Sequence, residues 1–345
     1  MGKAVLVDRP VVTNQQINSV ITDPRIVDDL FLYYALTSKR AEIFRLGAGG
    51  SRTPILNKSG FSNLALTLPS LSEQKGIAAV LGALDDKIEL NRRMNVTLEA
   101  MARALFQSWF VDFDPVRAKL DGRSPTGLDA ATAALFPNNW EESQRGKVPA
   151  GWRYVPIREV CFLNEWTLSK KDELDTLEYV EISEVSRGEI TNIAFYARGS
   201  EPSRARRRLR HGDTVLSTVR PDRGAYFLAL TPPENRIAST GFAVVTPKTV
   251  PWSFIHVALT LPEVSEHLGR LADGGAYPAV RPEIIADLQV LIPNRPEVLA
   301  AFHQACASLF KMADANRSQS RTLAALRDTL LPKLLSGSLT LNKEN

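Results

Sequence analysis

Five arginines occupy a stretch of seven positions in the second half of the chain, at Arg204, Arg206, Arg207, Arg208 and Arg210. A guanidinium group neutralises phosphate and can donate a forked pair of hydrogen bonds to O6 and N7 of guanine. The same stretch has acidic neighbours, such as Glu201 and Asp213, that could balance its charge. Nucleic-acid contact and a solvated run of balanced charge therefore both remain open at this point.

A second pair of basic residues lies at the end of a strand-like run. Arg220 and Arg223 flank the dipeptide Pro221-Asp222. Short loops beside a sheet can place such side chains in a groove of a bound ligand. The alternative is a plain turn that Asp222 stabilises.

Three further places combine turn residues with groups that could contact a nucleic acid. Arg52 and Thr53 follow two glycines, as does Tyr277, and glycine permits the close approach of a ligand backbone. Asn14 and Gln15 carry amides that can pair with N6 and N7 of adenine. Turn formation or helix capping explains these residues equally well.

The sequence does not predict catalysis or metal binding. Its four histidines are His211, His256, His267 and His303. Neither they nor the two cysteines, Cys161 and Cys306, have the spacing of metal ligands. The single Pro-Pro pair, Pro232-Pro233, lacks the residues of an amino-methyltransferase motif, and no phosphate-binding loop occurs. We therefore expect no catalytic residues, no metal and no cofactor in this chain.

Composition indicates a folded protein of two or three domains. The chain has 345 residues, 44% of them apolar, and a formal net charge of +4. This charge permits a polyanionic partner without requiring one. No window reaches the roughly 18 uncharged apolar residues of a membrane span, and two distant cysteines do not suggest a disulfide framework. The expectation is a cytoplasmic protein that does not bind membranes.

An internal repeat organises the chain. Phe31 and Ala35-Leu36-Thr37 recur as Phe254 and Ala258-Leu259-Thr260, at an offset of 223 residues. Further along, glycine-rich loops, strand-like runs ending in proline and long helical patterns recur in the same order. The strand-like runs are residues 64–69 and 288–293. Four matches in one order indicate a duplicated unit.

Each repeat ends in a helical pattern with a coiled-coil spacing. In the first repeat, steps of four and three connect Ile77, Leu81, Leu84, Ile88, Leu98, Ala102, Leu105 and Trp109, with Asn91 and Asn95 in the middle. In the second repeat they connect Cys306, Leu309, Ala313, Asn316, Ser320 and Leu323. Polar positions in such a seam fix its register. The pattern favours pairing of the two helices over separate packing on their own domains.

Pairing of two like units around an approximate two-fold axis predicts antiparallel helices with a globular domain at each end. A helix of this length spans roughly 55 Å at 1.5 Å per residue, which corresponds to about 16 base pairs of DNA at about 3.4 Å each. The second domain has strand-like runs at residues 179–185, 214–219, 225–230 and 242–246. The predicted fold is α+β: two mixed α/β domains, the first incomplete, separated by two long antiparallel coiled-coil helices.

Five stretches resemble the specificity subunits of type I restriction-modification enzymes. They are residues 68–77 (LPSLSEQKGI), 84–91 (LDDKIELN), 105–110 (LFQSWF), 210–221 (RHGDTVLSTVRP) and 331–337 (LPKLLSG). In combination these five stretches are specific to that family. The resemblance covers nearly the whole chain.

The resemblance implies a non-catalytic subunit in which two target recognition domains each read half of a bipartite site on double-stranded DNA. Modification subunits would dock on the spacer helices and methylate adenine with S-adenosylmethionine, and a restriction subunit would join the complex. The predicted segments are the C-terminal part of the first recognition domain (1–70), spacer helix 1 (71–110), a linker (111–150), the second recognition domain (151–294), spacer helix 2 (295–337) and a tail (338–345).

The chain departs from this family in its first domain. About 75 residues between Trp152 and Tyr226 have no counterpart in the first repeat, and residues 2–7 align with the strand-like residues 224–229. A fragmentary gene, a misplaced start codon and a half-domain completed by another chain all remain open. The alternative functions are a non-functional remnant and a coiled-coil adaptor for proteins, and a nucleic-acid enzyme fits less well.

Overall fold

The computed structural model describes residues 2–47 and 55–341. Two units make up the chain: unit 1 comprises Met1–Arg93 with Asn316–Asn345, and unit 2 comprises Met94–Ala315. Unit 1 is thus built from both ends of the chain and unit 2 from its middle. Two long helices contribute to both units.

Helices make up the regular structure of unit 1 in its described residues. They are α1 (Asp29–Ser38), α2 (Arg40–Gly47), α3 (Lys58–Ser62) and the first part of α4 (Leu71–Phe106), followed at the other end of the chain by the last part of α11 (Pro296–Leu335). The start of α4 is a capping box, because Ser70 donates its backbone N–H to Glu73 Oε2 at 3.0 Å while Ser70 Oγ accepts from the N–H of Glu73.

The core of unit 1 lies where α1 meets α4 and α11. Phe31 and Tyr34 of α1 are buried with Leu81 of α4 and with Leu331 and Leu334 of α11. Polar contacts lie beside this core. Asp85 accepts hydrogen bonds from the Tyr34 hydroxyl and from the Arg327 guanidinium, both at 2.6 Å. An early position on α4 therefore meets a late position on α11, as antiparallel helices require.

A polar layer follows further along the same helix pair. Asn91 is fully buried, and its Nδ2 donates to Gln319 Oε1 at 2.9 Å, to Ser320 Oγ at 3.2 Å and to the backbone oxygen of Asn316 at 3.3 Å. Every predicted seam position on both helices is buried or half-buried. The predicted antiparallel coiled-coil pairing is therefore confirmed.

Unit 2 is α+β. Its helices after α4 are α5 (Asp114–Leu120), α6 (Ala130–Ala134), α7 (Ile157–Val160), α8 (Trp252–Leu259), α9 (Pro262–Arg270), α10 (Pro282–Ala286) and the first part of α11. A π-helical turn, Gln107–Val111, continues α4, and 3-10 turns occur at Ile182–Glu184 and Pro221–Arg223. The predicted linker, residues 111–150, contains α5, α6 and a hairpin.

Fourteen strands are assigned in unit 2. They are β1 (Trp140–Ser143), β2 (Gly146–Pro149), β3 (Arg153–Pro156), β4 (Cys161–Leu163), β5 (Thr176–Val180), β6 (Val185–Ser186), β7 (Glu189–Ile190), β8 (Ala194–Ala197), β9 (Ala205–Arg208), β10 (Asp213–Ser217), β11 (Tyr226–Ala229), β12 (Arg236–Ser239), β13 (Phe242–Pro247) and β14 (Gln289–Ile292). All of these strands lie in described residues.

Two four-stranded sheets organise this unit. One has the order β11-β10-β13-β4 and is antiparallel; the other has the order β8-β5-β12-β9, with β5 and β12 parallel. Hairpins β1-β2 and β6-β7 and the pair β3-β14 complete the strands. An aromatic cluster joins Phe106, at the end of α4, and Phe110, in the π-helical turn, to Trp152, Phe254 and Phe302. This cluster anchors the helix pair to the α/β domain of unit 2.

Three strand expectations were wrong. Residues 64–69 form no strand, whereas their counterpart β14 does, because β14 pairs with β3 and the first repeat has no residues that correspond to β3. Residues 2–7 also form no ladder, and Val5 is 80% exposed. The run at 179–185 is broken, since β5 ends at Val180 and a 3-10 turn precedes β6. Strand-like side chains form a strand only where a partner backbone is present.

Candidate nucleic-acid interface

Strand β10 separates two groups of the predicted arginines. Arg210 precedes it, and the backbone N–H of Arg210 donates to Asp213 Oδ2 at 2.6 Å. Arg220 follows its other end, three residues after Ser217. A five-residue strand is about 17 Å long, so arginines that are close in sequence lie at different ends of the sheet.

Three arginines of the densest cluster already have partners within the domain, which are acidic side chains or an aromatic ring. Arg206 lies 3.6 Å from Glu201, which also pairs with Arg198. Arg208 contacts Asp172 at 2.5 Å and Glu234 at 3.2 Å. We call Arg206, Arg208 and Arg210 the paired arginines, since each has a partner within the domain.

The partner of Arg210 is a ring. Its guanidinium carbon lies 3.7 Å from the centroid of the Trp166 ring, which is a cation–π contact. Asp213, the predicted balancing acid, accepts hydrogen bonds from the backbone N–H of Arg210 and from the hydroxyl of Thr246. Burial raises the pKa of the Asp213 carboxyl to about 6. Asp213 therefore has a structural role at the start of β10.

Arg207 differs from its neighbours in sequence. Its Nε atom is buried without a hydrogen-bond partner, and among the described residues it forms no ion pair. Burial lowers the pKa of its guanidinium. Arg207 therefore holds a half-buried positive charge that no described carboxylate balances.

At the other end of β10, the structure brings together two predicted residues from distant parts of the sequence. The guanidinium of Arg220 lies 4.8 Å from the centroid of the Tyr277 ring and donates to the backbone oxygen of Ala276 at 2.6 Å. Arg220 has a left-handed backbone (φ 46°), and its N–H donates to Pro278. Tyr277 is 72% exposed. The pair presents an oriented cation and an aromatic surface to solvent.

Arg204 and Arg223 lie at the same end of the sheet. The backbone oxygen of Arg204 accepts a hydrogen bond from the N–H of Thr240. Gly241, which follows Thr240, accepts one from the N–H of Thr218 at 2.9 Å, just beyond the end of β10. Arg223 closes the 3-10 turn that follows Arg220. Both side chains are exposed, and neither forms an ion pair with a described residue.

Sequence reasoning missed one arginine at this end. Arg187 is exposed at the tip of the hairpin β6-β7, and its N–H donates to the backbone oxygen of Gly224 at 3.0 Å. The only sequence signal was an Arg-Gly pair between two very short strand-like runs. We call Arg204, Arg220, Arg223 and Tyr277 the arginine end of unit 2, and Arg187 lies next to it.

The predicted candidates in unit 1 form no comparable group. Asn14 Oδ1 accepts from the N–H of Gln16 at 3.0 Å, so the Asn14 side chain stabilises a turn. Gln15 is exposed. Arg52 and Thr53 lie outside the described residues.

Histidine side chains in unit 2 have structural contacts. His256 is buried, with Nδ1 3.4 Å from the hydroxyl of Thr214, and His303 lies 2.9 Å from the hydroxyl of Ser253. Within the described parts of the chain, no group of three or more His, Cys, Asp or Glu side chains could hold a metal ion. None of the described helices is long and apolar enough to span a membrane.

Comparison with known proteins shows what this chain is similar to. Residues 1–100 match the family described as type I restriction modification DNA specificity domain. The type I restriction enzyme HindI specificity subunit of Haemophilus influenzae is 28% identical over 98% of this chain and 84% of its own length. The MjaIX specificity subunit of Methanocaldococcus jannaschii is 25% identical over 98% of this chain and 75% of its own length.

A crystal structure of the type I restriction-modification S subunit from M. genitalium aligns with 90% of this chain and 74% of that chain, with 18% identity and a TM-score of 0.49. The sequence relatives are specificity subunits, not modification or restriction subunits. The chain is therefore similar to type I restriction enzyme specificity subunits over nearly its whole length. The predicted resemblance is therefore confirmed, and the class of these relatives agrees with the expectation of a non-catalytic subunit.

Proposed function

We propose that this chain recognises a DNA sequence for a type I restriction-modification complex and that the arginine end of unit 2 contacts the DNA. The observation that supports this most is the Arg220–Tyr277 pair. Its guanidinium is oriented by a ring and a backbone oxygen but is not neutralised by a described carboxylate. An oriented, unneutralised arginine suits a base edge, for which forked donors give specificity.

The surrounding cations suit the DNA backbone. Arg204 and Arg223 are exposed beside Arg220 without ion pairs to described residues. Contacts to phosphate fix the position of a protein on the duplex, and contacts to bases then read its sequence. In this assignment, Arg220 and Tyr277 read bases or fit the groove, while Arg204 and Arg223 contact phosphates.

The paired arginines and the remaining candidates have weaker support. Arg206, Arg208 and Arg210 could reach DNA only after exchanging their present partners. Arg207 lacks a described counter-charge and is retained as a phosphate contact. Arg52, Thr53, Asn14 and Gln15 would belong to the first recognition domain.

Binding to duplexes tests the proposal. The full chain with its modification subunits is titrated against a pool of random 50-base-pair duplexes, and the bound fraction is sequenced. We expect enrichment of one bipartite sequence and an affinity that falls steeply with salt. Equal binding to all duplexes, or binding that does not depend on salt, would contradict sequence recognition.

We further propose that modification subunits, which would carry S-adenosylmethionine and methylate adenine, dock on α4, and that a restriction subunit joins through that complex. Apart from its buried seam, α4 has exposed apolar side chains at Val80, Leu90, Met94, Val96 and Met101. Met94 and Met101, both in unit 2, lie seven residues apart and form a short apolar stripe outside the seam. Such a stripe suits another helix packed along this part of α4.

Charge in this stripe should weaken the docking. The double variant Met94→Glu, Met101→Glu should reduce co-purification with the modification subunits while leaving the thermal stability of the chain unchanged. The matched control is the double variant Ala79→Glu, Ala100→Glu, which adds the same two charges at exposed positions of α4 but on another face. Normal assembly of the methionine variant would place the docking surface elsewhere.

A further inference from the structure

The hairpin β6-β7 has an unusual residue in its two-residue turn. Arg187 and Gly188 both have left-handed backbones, with φ of 41° and 90°. Turns with positive φ at both positions match the twist of a hairpin and favour Asn-Gly or Gly-Gly. For a residue with a Cβ atom, this conformation costs about 1–2 kcal/mol. The turn geometry alone therefore disfavours arginine at position 187.

Backbone contacts, which any residue could make, hold this turn in place. The N–H of Arg187 donates to Gly224 O at 3.0 Å, and the N–H of Gly188 donates to Tyr226 O at 2.7 Å. The Arg187 side chain is exposed and forms no ion pair with a described residue. The fold therefore gains little from the guanidinium itself.

The neighbours of Arg187 indicate what its guanidinium contacts. Its stem passes Gly224, where an added Cβ would lie 3.6 Å from Arg187 Cγ and 3.9 Å from Arg187 Nε. Gly224 directly follows Arg223 and the turn of Arg220. The one acid in that turn, Asp222, forms no ion pair with a described residue. Three cations without described counter-charges thus lie around one turn, an arrangement that a polyanion would stabilise.

We propose that Arg187 is a phosphate contact of the DNA interface and that the hairpin β6-β7 rests against the DNA backbone. This inference depends on the proposed function of the arginine end. Arg220 is oriented by Tyr277 and Ala276, as base reading requires, whereas the exposed Arg187 guanidinium forms no hydrogen bond or ion pair with a described residue. An exposed cation at the edge of a reader neutralises phosphate independently of sequence.

The variant Arg187→Asn tests this contact without disturbing the turn, because asparagine tolerates positive φ. Binding of the full chain with its modification subunits is measured against the sequence enriched from the random pool and against an unrelated duplex. We expect affinity to fall about 5- to 10-fold for both duplexes and the slope of log affinity against log salt to decrease by about 1. Thermal unfolding should be unchanged or slightly raised.

The matched control is Arg123→Asn, which removes an exposed arginine paired with Asp121 in the predicted linker. It should bind both duplexes like the unmodified chain. Unchanged affinity of Arg187→Asn would overturn the contact while leaving the proposed function intact, and a loss confined to the enriched sequence would overturn its assignment to phosphate. If the unmodified chain bound no duplex, the proposed function would fail and this inference with it.

Discussion

The paired arginines and the arginine end of unit 2 contain the same residue type in one domain, but their surroundings differ. Arg208 is held by Asp172 and Glu234, and Arg210 by the Trp166 ring. Arg220 is oriented by Tyr277 and Ala276, with no carboxylate among its described partners. A dense run of arginines in a sequence can therefore be balanced within its own domain, and if the proposed interface is correct, the absence of internal counter-charge is the better guide to it.

Substitution of Arg220 should reduce DNA affinity far more than substitution of any of the paired arginines. We expect Arg220→Ala to reduce affinity for the enriched duplex about 100-fold, with a smaller loss on unrelated duplexes, because a base contact is worth about 1–3 kcal/mol and a phosphate contact can be lost with it. Fluorescence anisotropy with both duplexes measures this. An equal loss on both duplexes would make Arg220 a phosphate contact instead.

The pH dependence of stability tests whether Asp213, at the start of β10, has a structural role. Because the folded-state pKa is raised from 3.8 to about 6, the folded state binds the proton more tightly than the unfolded state does. The associated stability is present below about pH 4 and is lost as pH rises through about 6. In Asp213→Asn, Oδ1 can accept from the backbone N–H of Arg210, and Nδ2 can donate to the Thr246 hydroxyl, which reverses that second hydrogen bond. The variant should therefore be more stable at pH 7 by about 2 kcal/mol and should show a flatter pH profile.

Urea unfolding of both chains between pH 4 and pH 8 measures this effect. The two stability curves should converge at pH 4 and separate towards pH 7. A constant difference across this range would mean that the Asp213 carboxyl is not the titrating group. DNA affinity should not change.

The paired arginines should affect stability more than binding. Arg208→Ala leaves Asp172 without its ion pair, and we expect a loss of about 1 kcal/mol in the free energy of unfolding with DNA affinity within about twofold of the unmodified chain. Parallel measurements of urea unfolding and duplex binding compare the two effects. A large loss of affinity without a loss of stability would show that the partners of Arg208 are exchanged for DNA.

The smallest effect concerns the ring beneath Arg220. Tyr277→Phe retains the cation–π contact and should bind like the unmodified chain, whereas Tyr277→Leu should lose about threefold in affinity. Titration of both variants against the enriched duplex makes the comparison. Equal losses in the two variants would indicate that the Tyr277 hydroxyl, not its ring, contributes to binding.

The sequence predicted the helix pair well because its signal is local and repeated. The steps through Ile77 and Leu81 and the polar position Asn91 are visible in one segment, and the structure buries all three. The failed strand at residues 64–69 has the same local signal as β14 but no partner. Local periodicity thus predicts which side chains share one face of a helix or strand. A sheet also requires a second strand to pair with, which local periodicity does not reveal.

The site was harder to predict because ion pairs join distant positions. Glu201, five residues from Arg206, was identified as a balancing acid, but Asp172 and Glu234 lie 36 and 26 residues from Arg208. Asp213 was also named, and it binds only the backbone of Arg210 among the cluster. Arg187 was missed because the strands beside it have two residues each, too short for any periodicity.

The division of the chain into a continuous middle unit and a unit made from both ends has a consequence for biosynthesis. A ribosome completes residues 94–315 before it makes the second half of the last helix, so the α/β core of unit 2 can close on the nascent chain. Asn91 must wait for Asn316 and Ser320, which are made more than 220 residues later. Until then, the apolar face of α4 in unit 1 lacks its partner helix, and chaperones or early-binding subunits would meet it first.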